Sequence, residues 1–164
     1  MKNLPNLEGK LVKMGCFTPE YVSKYHGWLQ DEYLLRMTET DRGLTLDDVA
    51  KIRDEIEEAD DMAHYLIFDK KTSKPIGDAD LRDIKPGKTA ECAIMIGESE
   101  YRNKGYATEA LELLLDYGFK NFDLKKVTAP ILYFNEPSIA VHKKLGFKES
   151  KRKGKDIIFK LERI

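Results

Sequence analysis

The chain has 164 residues, with 28 Lys+Arg against 29 Asp+Glu for a formal net charge of −1, and 41% hydrophobic and 35% charged residues. That composition excludes global disorder, and a chain of this length buries about two-thirds of its unfolded surface around one core, which predicts a single domain spanning 1–164 without disulfide staples. Near-neutral charge argues against nucleic acid as a partner, and no uncharged apolar run approaches the ~20 residues of a membrane helix or supplies a secretory signal in residues 1–10, so a cytoplasmic location is expected.

Period and punctuation then divide the chain into elements. Leu11 to Phe17 reads as a strand; Thr18-Pro19-Glu20 offers an N-cap followed by proline, opening a helix through Tyr21, Tyr25, Trp28 and Leu29. A short helix covers Tyr33 to Met37. Thr45 caps a helix from Leu46 to Glu58, with Asp48 completing a capping box. The acidic pairs Asp54-Glu55 and Glu57-Glu58 fall on its outer face and end. Three strands follow, Ala63 to Asp69, Pro75 to Arg82 and Thr89 to Ile96, and their short, turn-rich separators predict an antiparallel meander.

From Lys104 to Asn121 the period becomes helical. Ala107, Ala110, Leu111, Leu114 and Gly118 share one face, and Glu109, Glu112, Asp116 and Lys120 the other. Lys126 to Leu132 is a β-branched strand, Asn135 to Leu145 a helix ended by Gly146, and two strands flank the Lys153-Gly154 turn. The basic cluster Lys148, Lys151, Arg152, Lys153 and Lys155 belongs to this solvated hairpin. The order β, α, α, β, β, β, α, β, α, β, β predicts an α+β fold in which about seven strands form a mixed sheet with helices on both faces. The helix at 104–121 links two parallel strands.

Chemistry concentrates where that helix begins. Its first N–H groups lack intrahelical partners and its dipole is positive there, so the end suits an anion. Gly105 removes a Cβ from the approach, Ala107 is small, and Arg102 and Lys104 add charge. The bland alternative is a helix start with a convenient glycine. Neither a Walker loop nor Gly-x-Gly-x-x-Gly is present. Cys16 and Cys92 lie far apart with no Cys/His cluster, so neither a metal site nor a disulfide is expected, and both read as small apolar residues.

The string Arg102-Asn103-Lys104-Gly105-Tyr106-Ala107, after a strand and before a long helix, resembles the acyl-CoA pyrophosphate motif Arg/Gln-x-x-Gly-x-Gly/Ala of the GCN5-related N-acetyltransferase (GNAT) superfamily. Asn135 to Phe147, ending Lys144-Leu145-Gly146-Phe147, resembles that family's C-terminal helix, and the element order is the family's three-layer α-β-α order. Within it the chain is most similar to the RimJ/RimL-type ribosomal-protein acetyltransferases. Tyr25-His26-x-Trp28 and Asn135-Glu136-Pro137-Ser138-Ile139 resemble the branch called N-acetyltransferase nine.

The resemblance implies transfer of an acetyl group from acetyl-CoA to a primary amine, a protein or peptide amine being favoured over a polyamine or aminoglycoside. It implies a cofactor site of Arg102, Asn103, Lys104, Gly105, Tyr106, Ala107 and Thr108, a strand bulge that opens the sheet for the pantetheine arm along Ile94, Met95 and Ile96, and a contact from Asn135, which also caps its helix. Glu91, on one strand face with Ala93 and Met95, is a candidate base, directly or through water; the alternative is a rim residue in a cross-strand pair.

His142 stands where many members carry the tyrosine that protonates the leaving thiolate. It reads either as that acid or as a packed aromatic, with Ser138 the rival donor. This departure keeps open a CoA-binding module of weak activity. His26 and His64 read as ordinary polar or half-buried residues, Tyr25 and Trp28 as core or groove wall, and the loop Arg36 to Thr45 as the seat of acceptor specificity.

Overall fold

A computed structural model describes residues 1, 3–40 and 43–163. Its strands are β1 (Leu7–Glu8), β2 (Val12–Gly15), β3 (Ala63–Asp69), β4 (Pro75–Lys85), β5 (Thr89–Ile96), β6 (Lys126–Leu132), β7 (Lys148–Lys153) and β8 (Asp156–Glu162). Its helices are α1 (Val22–Trp28), α2 (Glu32–Thr38), α3 (Leu46–Glu58), α4 (Tyr106–Asn121) and α5 (Glu136–Lys144). The strands form one mixed sheet in the order β1-β2-β3-β4-β5-β6-β8-β7, with β5 and β6 parallel and the other neighbours antiparallel.

The predicted order stands with two additions: a strand at the start, and the short helix read at Tyr33 to Met37, which that order left out and which stands as α2 between the two others. β1 is two residues long and carries no period of its own. It pairs with β2 because the intervening turn is fastened from outside: the Glu109 carboxylate accepts from the backbone N–H groups of Lys10, Leu11 and Val12 at 2.9, 2.7 and 2.9 Å. Glu109, assigned by its period to the outer face of α4, is therefore a tether for the N-terminal turn. The start of α1 also differs. Thr18 is extended but its hydroxyl caps nothing, and Pro19–Tyr21 form a 3-10 turn before the α-helix begins. At α3 the capping box closes as expected, Asp48 N–H to Thr45 Oγ1 at 3.1 Å and Thr45 N–H to Asp48 Oδ2 at 2.8 Å.

Two apolar layers hold the sheet. On one face α4 sets Ala110, Leu111 and Leu114, all fully buried, against Tyr65, Ile67, Leu81, Val127 and Phe159, each large side chain contributing roughly 1.5–3 kcal/mol of transfer free energy. On the other, Phe17, Trp28, Leu29, Leu34 and Val49 close over Leu66. Of the two cysteines read as small apolar residues, Cys92 lies in the first layer, whereas Cys16 is exposed. No helix among the described residues is long and apolar enough to cross a membrane.

The feature that positions everything else is a fork. β5 pairs with β6 only over Thr89–Glu91 against Lys126–Thr128, after which the strands part. Each is held from its far side, β5 by β4 up to Ile96 and β6 by β8 up to Leu132, so the sheet divides along this line. The β4–β5 register runs unbroken from Gly77↔Ile96 to Arg82↔Glu91 and shifts only between Arg82 and Lys85. The fork thus opens without the bulge expected at Ile94–Ile96; divergence of two strands twisted by different neighbours suffices.

Candidate functional site

Two hollows meet at the fork. One, about 370 Å³, lies between the end of β5, the N-terminus of α4, α2 and α5. The other, about 730 Å³, lies on the opposite face of the sheet beneath α1, α3 and the segment after α2. Met37, Thr38, Ile94, Met95, Asn135 and Ser138 border both.

The smaller hollow is the predicted anion cradle. Gly105 at the N-cap of α4 has φ +90°, a left-handed conformation that places the chain across the helix end, and Asn103 is also left-handed at φ 60°. The N–H groups of Tyr106, Ala107 and Thr108 find no acceptor among the described residues. A Cβ on Gly105 would meet only Leu11 Cδ1, at 3.7 Å, so the space in front of the helix is open. Lys104 is exposed beside it.

Arg102 is employed differently from the expectation that it adds free charge. Its guanidinium donates to Asp31 Oδ2 at 3.0 Å and to the Ile96 carbonyl at 3.1 Å, and lies 4.6 Å from the Tyr33 ring centre. It braces α2 against the end of β5. Asn135 makes the second brace: its Oδ1 accepts from the Ser138 N–H at 3.3 Å, the expected cap, while its amide donates to the Met37 carbonyl at 3.2 Å. Between them, Arg102 and Asn135 hold α2 over the junction of the hollows. No sequence signal marked Tyr33, Leu34 or Met37 as part of this wall.

The backbone of β5 is sorted by its pairing with β4. Gly97 N–H donates to the Ile76 carbonyl at 2.7 Å, which makes Gly77↔Ile96 a non-hydrogen-bonded pair and Asp78↔Met95 a hydrogen-bonded one. By alternation the amides of Met95 and Gly97 are spent on β4. Those of Ile94 and Ile96 turn toward the fork.

His142 is 1% exposed. Its Nδ1–H donates to the Ser138 carbonyl at 2.7 Å, leaving Nε2 as acceptor, 3.8 Å from Cys92 Sγ, and its ring meets Phe147 edge-on at 5.0 Å. Burial lowers its pKa from the ordinary histidine value, so the ring is neutral at pH 7. Its one proton is held by a backbone carbonyl, which favours the packed-aromatic reading. The Cys92 thiol is pushed up by burial and is inert. Ser138 stays at the border of both hollows, with Oγ 3.5 Å from His142 Nδ1.

Glu91 ends the parallel pairing, opposite Arg82 on β4. Burial pushes its carboxyl up, against the pull of the Arg82 charge. It shares the face of Ala93 and Met95 as expected, but it stands four residues, about 13 Å, from Met95 and does not line the larger hollow. Direct proton transfer to Glu91 does not fit that distance.

The acids that do line the hollow were not singled out from sequence. Asp80 is gripped by Arg82 through both oxygens, Nε to Oδ1 at 2.8 Å and Nη2 to Oδ2 at 2.7 Å. Asp78 Oδ2 accepts from the Tyr25 hydroxyl at 2.8 Å and from His64 Nε2 at 2.9 Å. His64 is buried, 5% exposed, not half-buried as expected. Burial and the Asp78 carboxylate push the Tyr25 phenol well above its ordinary value, so it acts as a donor. The signal was present in β4: Asp78, Asp80 and Arg82 alternate with Ala79 and Leu81, placing three charges on one face of an interior strand. Trp28 is core, and Tyr25 is cavity wall. The loop expected to set specificity borders this hollow through Met37, Thr38, Glu39, Thr40 and Leu44; its Asp41 and Arg42 lie outside the described residues.

Comparison with known proteins agrees with this geometry. Residues 16–148 match the family model described as an acetyltransferase (GNAT) domain. The chain is 33% identical over 155 residues to a mouse protein named alpha/beta-tubulin-N-acetyltransferase 9, covering 87% of this chain and 64% of that one, so it spans less than two-thirds of that relative. A spermidine N-acetyltransferase from Vibrio cholerae in complex with CoA and spermine shares the fold at a TM-score of 0.80 and 16% identity, over 93% of this chain and 94% of the other. A ribosomal-protein-S5-alanine acetyltransferase from Vibrio fischeri does so at 0.81 and 18%, over 96% of each.

Proposed function

The chain belongs to the GNAT acetyltransferase family, in its N-acetyltransferase 9 branch, and we propose that it acts as one N-acetyltransferase domain that moves the acetyl group of acetyl-CoA to the amine of a protein or peptide. The observation that carries this reading is the meeting of an anion cradle and an acid-lined hollow at the unpaired edge of β5.

The cradle fits a pyrophosphate because its free N–H groups and its open approach at Gly105 offer what such a group needs. Tyr106, Ala107 and Thr108 hold it through backbone N–H, with Asn103 and Lys104 beside them. The fork-facing amides of Ile94 and Ile96 suit the pantetheine arm, and the Ile96 N–H suits the acetyl oxygen, where a fixed donor stabilises developing negative charge. Arg102 and Asn135 keep α2 closed over this line. Acetyl-CoA supplies a thioester carbonyl open to direct attack by a neutral amine. Ser138, bordering both hollows, relays the proton: as the C–N bond forms and the C–S bond breaks, its hydroxyl passes a proton to the departing sulfur and recovers the one the nitrogen loses, a task for which His142 has no free N–H.

Glu91, opposite Arg82 in the β4–β5 register, adds negative charge near the Arg82–Asp80 pair and takes no proton from the amine. Glu91→Gln is therefore expected to change kcat far less than the ~10²–10⁴-fold that loss of a general base costs. A kcat–pH profile checks it: a loss that grows as pH falls below the amine's pKa assigns Glu91 a proton.

The function itself is tested by incubating the protein with acetyl-CoA and a panel of free-amine peptides, including the N-terminal peptides of α- and β-tubulin, with spermidine and an aminoglycoside alongside. Mass-spectrometric detection of acetylated peptide is expected. Free CoA binding with no acetylated product would point instead to a binding module, and acetyl-spermidine alone to a small-molecule enzyme.

A further inference from the structure

Glu109 stands one turn into α4, and both its oxygens are engaged by a segment 97 to 99 positions earlier in the chain. Oε1 accepts from the Lys10 N–H and Oε2 from the N–H groups of Leu11 and Val12, so three consecutive amides converge on one carboxylate. From its other side the same turn is gripped by Lys70, whose backbone N–H donates to the Leu11 carbonyl at 2.9 Å, and whose Nζ donates to the Gly9 carbonyl and pairs with Glu8, each at 3.0 Å. The turn ties the start of α4 to the edge of the sheet.

That tie acts where burial does not. Ala110, Leu111 and Leu114 are fully buried, whereas Gly105 is exposed and Tyr106 to Thr108 are half-buried, so core packing fixes α4 only from its second turn onward. The turn that carries the free N–H groups depends on polar contacts. Tyr101, just before the helix, adds another: its hydroxyl donates to Asp69 at 3.0 Å and its ring meets Tyr106 edge-on at 5.1 Å. Asp69 lies opposite Val12 in the β2–β3 register, so both ties end at one place on the sheet. The charge of Glu109 does not itself serve the cradle. It stands four positions past Gly105, about 6 Å along the helix axis, where a carboxylate repels an anion at the helix end.

We propose that Glu109 is a positioning residue for the cofactor: by pinning the Gly9–Val12 turn it fixes the anion cradle at a set distance from the fork, so that one ligand engages both. This rests on the acetyltransferase reading for the identity of the ligand. A ligand held at two places gains most when the span between them is fixed. If the cradle moves freely, each place still binds its own fragment, and the joint advantage is lost.

The experiment measures the binding of CoA and of inorganic pyrophosphate, by calorimetry, to the parent and two variants. Glu109→Gln keeps the length of the side chain, removes its charge, and replaces one acceptor oxygen with an amide donor that the turn's N–H groups cannot use. Gly9→Ala keeps every charge, but its Cβ would lie 2.6 Å from Glu109 Cδ and Oε2, so the end of that side chain must leave its place. Both variants are expected to bind CoA at least tenfold more weakly than the parent. Pyrophosphate should bind Gly9→Ala as it binds the parent, and Glu109→Gln as tightly or more tightly, because electrostatics alone favours an anion there once the carboxylate is gone. Amide hydrogen exchange should quicken at Lys10, Leu11 and Val12 and stay slow in β3, β4 and β5, which certifies a folded sheet with a loosened turn. Equal weakening of CoA and pyrophosphate, or exchange that quickens throughout the sheet, would make Glu109 a support of the fold and overturn the positioning role. Variants that match a CoA-binding parent sink this inference alone, whereas a parent that binds no CoA sinks the acetyltransferase reading and this inference with it.

Discussion

Gly105→Val is expected to weaken acetyl-CoA binding by about 100-fold or more while the sheet stays folded. The glycine sits at φ +90° and ψ −4°, where a β-branched side chain is strained. Nothing of the protein obstructs the new atoms, since a Cβ there would meet only Leu11 Cδ1 at 3.7 Å. The damage falls instead on the N–H groups that follow: relief of strain rotates the peptide planes of Tyr106 and Ala107 away from a common target, and the isopropyl group stands in the approach. Charge-assisted hydrogen bonds contribute about 1.5–3 kcal/mol each, so losing the alignment of two costs roughly 3 kcal/mol or more, and each 1.4 kcal/mol is tenfold in Kd. Calorimetry with CoA gives the affinity, and circular dichroism the helix. Gly105→Asn separates the causes, because asparagine tolerates the left-handed region yet still carries a side chain. It should melt close to the parent and bind CoA weakly. Unchanged affinity in folded Gly105→Val would remove the cradle from the cofactor site.

This glycine was legible in the sequence, and the reason is general. A helix N-terminus is a local device: one residue of unusual φ and three consecutive N–H groups make it, and all lie within six positions of one another. The elements were legible for the same reason. The capping box of α3 and the cap on α5 by Asn135 each depend on atoms three residues apart. What the sequence hid depends on distant segments. Tyr25, His64 and Asp78 converge from a helix and two strands, the last two 14 positions apart in sequence and the outer pair 53. Arg102 looked like a free cation until Asp31, 71 residues away, was placed against it. Glu109 looked solvated until the turn at Lys10–Val12 reached it.

The same distinction separates the two halves of the site by what can change them. The half proposed for the cofactor presents backbone N–H groups of α4 and β5, which side-chain substitution alters only through conformation. The half proposed for the acceptor presents side chains of Asp78, Asp80, Tyr25 and His64, which single substitutions can rewrite. A family that keeps its cofactor and varies its acceptor can draw its variation from the second half, and fold alone does not select the acceptor.

Gly77→Ala is expected to lower stability by about 3 kcal/mol, within the range for forcing atoms into a packed interior. Gly77 stands on β4 opposite Ile96, and a Cβ built there would lie 2.1 Å from the Met95 carbonyl oxygen and 3.0 Å from Ile96 Cα. Both are backbone atoms, so no rotamer change relieves the contact; the strands must separate, or β5 must slide. At roughly 2–4 °C per kcal/mol for a chain of this size, the melting temperature should fall by about 6–12 °C. The loss should reach the chemistry as well, because Met95 and Ile96 are the residues displaced. Their register on β4 decides which amides turn to the fork, and a shift that removes the Ile96 N–H from its place should lower kcat more than it raises the KM for acetyl-CoA, whose pyrophosphate is held elsewhere. Gly27→Ala is the control. Its Cβ would meet nothing within 4 Å, and in the last turn of α1 alanine should be neutral or stabilise by roughly a few tenths of a kcal/mol. Thermal melts of both variants with steady-state kinetics at saturating amine decide the matter: a Gly77→Ala protein that melts with the parent and turns over at its rate would show that the close approach of β4 to β5 does not set the geometry of the fork.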